Sequence, residues 1–196
     1  MDEKELSGAE SLALITQMIN KTKKDYLDTG LSALLWGSVI SFCSLVTFAN
    51  SYMGVGWLDY VWFLTIGAVV PQIIISIRES KNRKYRAYED DLMGGIWISF
   101  AFAIFLLSYF ANMYRLEHQT ELYLIIYGIP TFATGYARRF RPMIVGGLAC
   151  WAFAIIVPFV RWPYNILFVT GAAQLAWFIP GLILRRCYLK AKQGHV

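Results

Sequence analysis

The chain is 196 residues long, 57% hydrophobic and only 16% charged, with a formal net charge of +5. Soluble domains carry about 25% charged residues and alternate polar with apolar positions along each element, so this composition excludes a soluble globular enzyme. The positive charge does not point to nucleic acid either, because the lysines and arginines stand at the ends of long apolar runs.

Residues 1–30 come first. Met1-Asp-Glu-Lys-Glu5 is acidic and the first apolar run starts only near residue 31, so the expectation is an uncleaved anchor rather than a signal peptide. Ser7-Gly-Ala-Glu10 fits a capping box and predicts a helix from about residue 8 to 28. Leu12, Ile15, Ile19 and Tyr26 fall on one face, flanked by Met18, while Gln17, Lys21, Lys24 and Asp28 fall mostly on the other. Such an amphipathic cytoplasmic helix lies at the bilayer surface, docks under a bundle, or offers its apolar face to a partner protein. The four apolar residues are therefore the interface candidates.

Residues 31–184 carry six apolar runs, at roughly 31–52, 58–77, 93–113, 121–137, 143–160 and 164–184. About twenty apolar residues are what an α-helix needs to cross roughly 30 Å of hydrocarbon. The expected fold is all-α: a polytopic transmembrane helix bundle of six spans arranged as three hairpins, with a basic tail at 185–196. A five-span reading would merge or drop the short fourth run. It fails on charge. With six spans, every lysine and arginine except Arg115 and Arg161 falls on one side. Basic residues of short loops stay in the cytoplasm, so both termini are expected there. The opposite rim carries aromatic residues suited to the headgroup level, among them Trp57, Tyr60, Tyr114 and Trp162.

The runs show a weak threefold punctuation. Each odd span opens with glycine and tryptophan: Leu35-Trp-Gly37, Gly94-Gly-Ile-Trp97 and Gly146-Gly-Leu-Ala-Cys-Trp151. Each even span carries a proline ahead of a basic cluster: Pro71, Pro130 and Pro180. Any two-span hairpin must end in cytoplasmic basic residues, so the pattern has a plain explanation too. If the repeat is structural, three proline kinks around one axis would open a cavity. Gln72 and Gln174 lie on proline-containing spans, and an amide in hydrocarbon needs partners. Gln72, Gln174, Pro71, Pro130 and Pro180 are thus the cavity candidates.

Ionisable groups are nearly absent from the spans, which argues against ion-coupled pumping and intramembrane hydrolysis. Glu117, His118 and Glu121 read as a solvated loop, and Glu89-Asp-Asp91 as a helix start, rather than as metal sites. No catalytic residue, metal or cofactor is expected. Cys43, Cys150 and Cys187 form no disulfide framework. Ser41, Ser44, Thr47, Thr131, Thr134 and Thr170 read as interhelical hydrogen-bonding groups, and the pairs Gly37/Ser41 and Ala172/Ala176 as close helix contacts.

Glu10-Ser-Leu-Ala-Leu-Ile-Thr-Gln-Met-Ile19 followed by Leu34-Leu-Trp-Gly37 resembles a group of small bacterial membrane proteins. That resemblance implies a short cytoplasmic helix, about six spans, a bacterial inner membrane and no established activity. The expected function is a non-enzymatic membrane module, regulatory or scaffolding, that binds a partner or lipid. A passive or exchange transporter for a small neutral or hydrophobic solute is the alternative, and a lipid-modifying enzyme ranks third. The expected partners are the lipid bilayer, a cytoplasmic protein and a second copy of the chain, with no nucleic acid.

Overall fold

The structure is a computed structural model that describes residues 29–82, 88–116 and 119–193. The interface candidates Leu12, Ile15, Ile19 and Tyr26 lie outside the described residues, as do Glu117 and His118. Among the described residues every regular element is helical. Helix α1 is Leu31–Met53; a 3-10 stretch, Gly56–Phe63, leads into α2, Leu64–Asn82. Helices α3 and α4 are Tyr88–Tyr114 and Gln119–Ala137. Helix α5, Arg141–Ile156, ends in a 3-10 turn at Val157–Phe159. The last long helix comprises α6, Ile166–Ala173, a π-helical turn at Gln174–Phe178, and α7, Ile179–Gln193.

Five stretches are long and apolar enough to cross a membrane: Leu31–Met53, Gly56–Lys81, Leu92–Tyr114, Arg141–Phe159 and Ile166–Gln193. Helix α4 is the more polar sixth. Its 19 residues would span about 28 Å at roughly 1.5 Å per residue. One face is enclosed, with Leu124, Tyr127, Pro130, Thr131 and Thr134 all buried. That face packs on protein and can carry threonines, while Leu122, Ile125 and Ile129 keep the exposed side apolar.

Two span ends carry detail beyond the sequence reading. The basic tail from residue 185 is not separate but continues α7 to Gln193, where Lys190 and Lys192 favour the negative end of the helix dipole. The second span opens as a 3-10 stretch, tied down by Asn50 at the end of α1. The Asn50 Nδ2 donates to Asp59 Oδ1 (2.7 Å), and its Oδ1 accepts the Val55 N–H (2.8 Å). Its backbone carbonyl takes the N–H of Gly54, which sits at φ 65°.

Helix α1 packs mainly on α6, the π-turn and α7, and α4 packs along the length of α5. These elements hold the core. Helices α2 and α3 are flanks: the main neighbour of α2 is α1, and that of α3 is α4. Only a narrow stripe of α2 turns inward, through Thr65, Ala68, Gln72, Ile75 and Glu79, while Ile66, Val70, Ile73 and Ile77 stay exposed. That 3-4-3-4 spacing is the seam of a two-helix contact.

The basic segments gather at one end of the bundle. Thr29 hydrogen-bonds Glu79, so the start of α1 meets the end of α2 near Arg78 and Lys81. Gly30 abuts Gly181 and Arg185 on α7. Gly146 of α5 abuts Ala176, which sets the Arg138–Arg141 turn at the level of α7.

Candidate functional site

The π-turn lies in the middle of this packing. The N–H of Ile179 bonds to the carbonyl of Gln174, five residues back instead of four. Pro180 follows immediately, and a proline has no N–H for the helix ladder and crowds the carbonyl four residues before it. A wider turn at that point relieves the crowding. Two glycines admit the turn. A Cβ on Gly37 would stand 2.6 Å from Phe178 N, and one on Gly146 would stand 2.5 Å from both Leu175 O and Ala176 Cα. Backbone-to-backbone approach of this kind is how small residues bring helices together in apolar surroundings.

Hydrogen bonds ring the turn. Gln174 Nε2 donates to Ser41 Oγ (2.8 Å), and one turn away Ser44 Oγ and Thr170 Oγ1 lie 2.7 Å apart. The Trp177 indole N–H donates to Thr131 Oγ1 (2.9 Å), and that of Trp97 to Thr134 Oγ1 (3.1 Å). The rings of Trp97, Phe100, Tyr127 and Trp177 pack together, with Tyr127 and Trp177 centroids 5.0 Å apart. Three spans thus meet around one aromatic cluster whose polar edges are matched by threonines. These are hydrogen-bonding groups, and the arrangement fixes helix positions.

Gln72 lies elsewhere. It accepts the Trp36 indole N–H (3.1 Å) and donates to Ser32 (3.1 Å) and Ser76 (3.2 Å) in the α1–α2 seam. Its partner Ser32 and Gln174's partner Ser41 are nine residues apart on α1, about half a turn around the helix. The structure therefore does not bring Gln72 and Gln174 together. Nor does it gather the prolines: Pro130 and Pro180 are fully buried, while Pro71 is on the exposed side of α2. Two of the odd-span tryptophans have a common role, each bonding to the helix that follows its own. Trp36 reaches Gln72 and Trp97 reaches Thr134, across sequence separations of 36 and 37. Trp151 breaks the pattern, turning back from α5 to the Ile125 carbonyl of α4 (3.2 Å) and covering Gly128.

The sequence reading missed Trp177 and Asn50. Trp177 lay inside an apolar run with no local signal of a partner; Asn50 was the one amide near the end of span one. A shallow recess of about 350 Å³ opens at the far end of α3, beside Asn112, Arg115 and Gln119. Among the described residues no group of His, Cys, Asp or Glu is arranged to hold a metal.

What these features define, among the described residues, is an all-helical fold with several helices long and apolar enough to cross a membrane. No protein-family model matches it, and no curated protein or solved structure matches it.

Proposed function

We propose that the chain is a six-span integral protein of a bacterial inner membrane, its spans arranged as three hairpins with both termini in the cytoplasm. It acts without catalysis, as a regulatory or scaffolding module that binds a protein partner or lipid at its membrane surface. One observation carries this reading. The polar groups around the centre are engaged with one another: Gln174 with Ser41, Ser44 with Thr170, Trp177 with Thr131, Trp97 with Thr134. A route for a solute would need such groups turned toward an open path.

The transporter alternative draws on the π-turn, since such turns interrupt helices at working sites in many proteins. Proteoliposomes separate the two readings. The module reading expects efflux of a panel of small neutral solutes to match that of empty vesicles. Efflux above that level, abolished by Gln72→Leu with Gln174→Leu, would establish the transporter instead. Reporter fusions at residues 82 and 118 test the topology and are expected in opposite compartments.

A further inference from the structure

The charges of this chain are divided unevenly along its length. All its carboxylate side chains lie at or before Glu121; residues 122–196 contain none. The same stretch contributes seven of its eight arginines and lysines to the basic end of the bundle, in the α4–α5 turn and in α7. The first half of that end is different: Arg78 and Lys81 have Glu79 between them, and Glu89, Asp90 and Asp91 follow in sequence.

The two cationic segments share a level. Counting from the contact of Gly146 with Ala176, Arg141 is five residues toward the basic end along α5, and Gly181 is five along the last helix. Arg185 is then one helical turn, about 6 Å, further out. Arg139, Arg141 and Arg186 are exposed, and the half-buried Arg185 holds its guanidinium 5.6 Å over the Tyr188 ring. Exposed apolar surface adjoins them at Tyr136, Leu182 and Leu189.

Arg139 occupies an expensive place. It stands at φ 51°, where α4 closes: its N–H bonds to Tyr136 O (3.1 Å), and the next N–H, of Phe140, to Gly135 O (2.8 Å). This is the Schellman closure, whose left-handed position normally takes glycine. An arginine there accepts backbone strain and gains an outward cation.

We propose that the Arg139–Arg141 turn and the Arg185–Arg186 segment bind the phosphodiester headgroup of an anionic glycerophospholipid, with its glycerol and upper acyl region against Tyr136 and Leu182. This rests on the reading of the chain as a lipid-facing membrane module and assigns that module a lipid class and a place. Charge complementarity selects the occupant. Residues 1–28 are a rival, joined to the bundle beside Arg185, but they hold six carboxylates against four lysines, too few to offset seven cations. An anionic leaflet supplies the remainder, and each lysine or arginine near it is attracted individually.

The test uses the full-length protein in phosphatidylcholine nanodiscs containing a minority of spin-labelled phosphatidylglycerol, with the motionally restricted fraction as the readout. The combined variant Arg139→Gln, Arg141→Gln, Arg185→Gln and Arg186→Gln is expected to lower phosphatidylglycerol association at least about tenfold. Arg78→Gln with Lys81→Gln is expected to lower it much less, because Glu79 between them offsets part of their attraction to the leaflet. Arg139→Gly guards against misfolding: it removes one cation while relieving the backbone, so it should raise the melting temperature and still lower lipid association. An equal loss in the Arg78/Lys81 variant overturns the proposal, as does equal restriction of labelled phosphatidylcholine. So does displacement of the label by millimolar inorganic phosphate, or a gain of association on deleting residues 1–28 that the arginine variant does not reverse. If reporters at residues 82 and 118 share a compartment, the six-span reading fails instead, independently of lipid selectivity.

Discussion

Trp177 and Thr131 join the π-turn to α4: the indole N–H donates to Thr131 Oγ1 across 2.9 Å, and Thr131 in turn donates to the Tyr127 carbonyl (2.8 Å). Thr131→Val keeps the shape and removes the acceptor. It should destabilise the protein by about 1 kcal/mol, since a buried N–H is left without a partner. Adding Trp177→Phe removes the stranded donor, so the double variant should lose less than the sum of the two single losses. Unfolding in mild detergent measures all three variants.

The glycines separate into two kinds. Gly146→Ala would place a methyl 2.5 Å from the backbone of the π-turn and should destabilise by about 2 kcal/mol, the scale of an overpacked core. Gly95→Ala meets nothing within 4 Å. It should be neutral or slightly stabilising through helix propensity. Melting curves of both variants check this, and equal losses would refute the packing described here.

Asn50 organises the turn between α1 and the 3-10 stretch through two side-chain bonds and a backbone one. Asn50→Ala should destabilise by about 1–2 kcal/mol. Asn50→Asp sets two carboxylates side by side and should do at least as much harm at neutral pH, with partial recovery in acid as one of the pair takes a proton. Thermal unfolding across pH reads both effects.

Arg115 ends α3 at φ 49°, with the Leu116 N–H bonded to the Ala111 carbonyl (3.1 Å). Arg115→Gly removes the left-handed strain and should stabilise the fold by about 1 kcal/mol. A lower melting temperature for this variant would show that the arginine side chain holds the turn.

How much of this was legible in the sequence depends on the kind of signal. Among the described residues, apolar run length located five long helices, because hydrocarbon imposes its thickness on anything that crosses it, and the charge pattern kept the shorter, more polar α4. The small-residue pairs Gly37/Ser41 and Ala172/Ala176 and the threonines at 131 and 134 were also readable, and all of them sit at helix contacts. Partners were not readable. Which indole meets which threonine depends on how the helices are arranged around one another, and periodicity is silent on that. The three prolines looked equivalent in the sequence, yet two are buried and one is exposed, because α2 is a flank and α4 and the last helix are not. The π-turn left no trace beyond Pro180 itself.

That turn also sets the rotational phase of everything downstream of it. It holds one more residue than an α-helical turn, and each residue of an α-helix advances the side chains by about 100°. The wide turn absorbs that extra residue, so α6 and α7 keep their facings on either side of it. Closing it to a regular ladder without removing a residue would swing α7 by roughly that angle, and Arg185 and Tyr188 would face a different neighbour. Deleting one residue between Gln174 and Phe178 would instead let a regular ladder form with α7 still in place, so the turn marks a buried point where this helix tolerates a change of length.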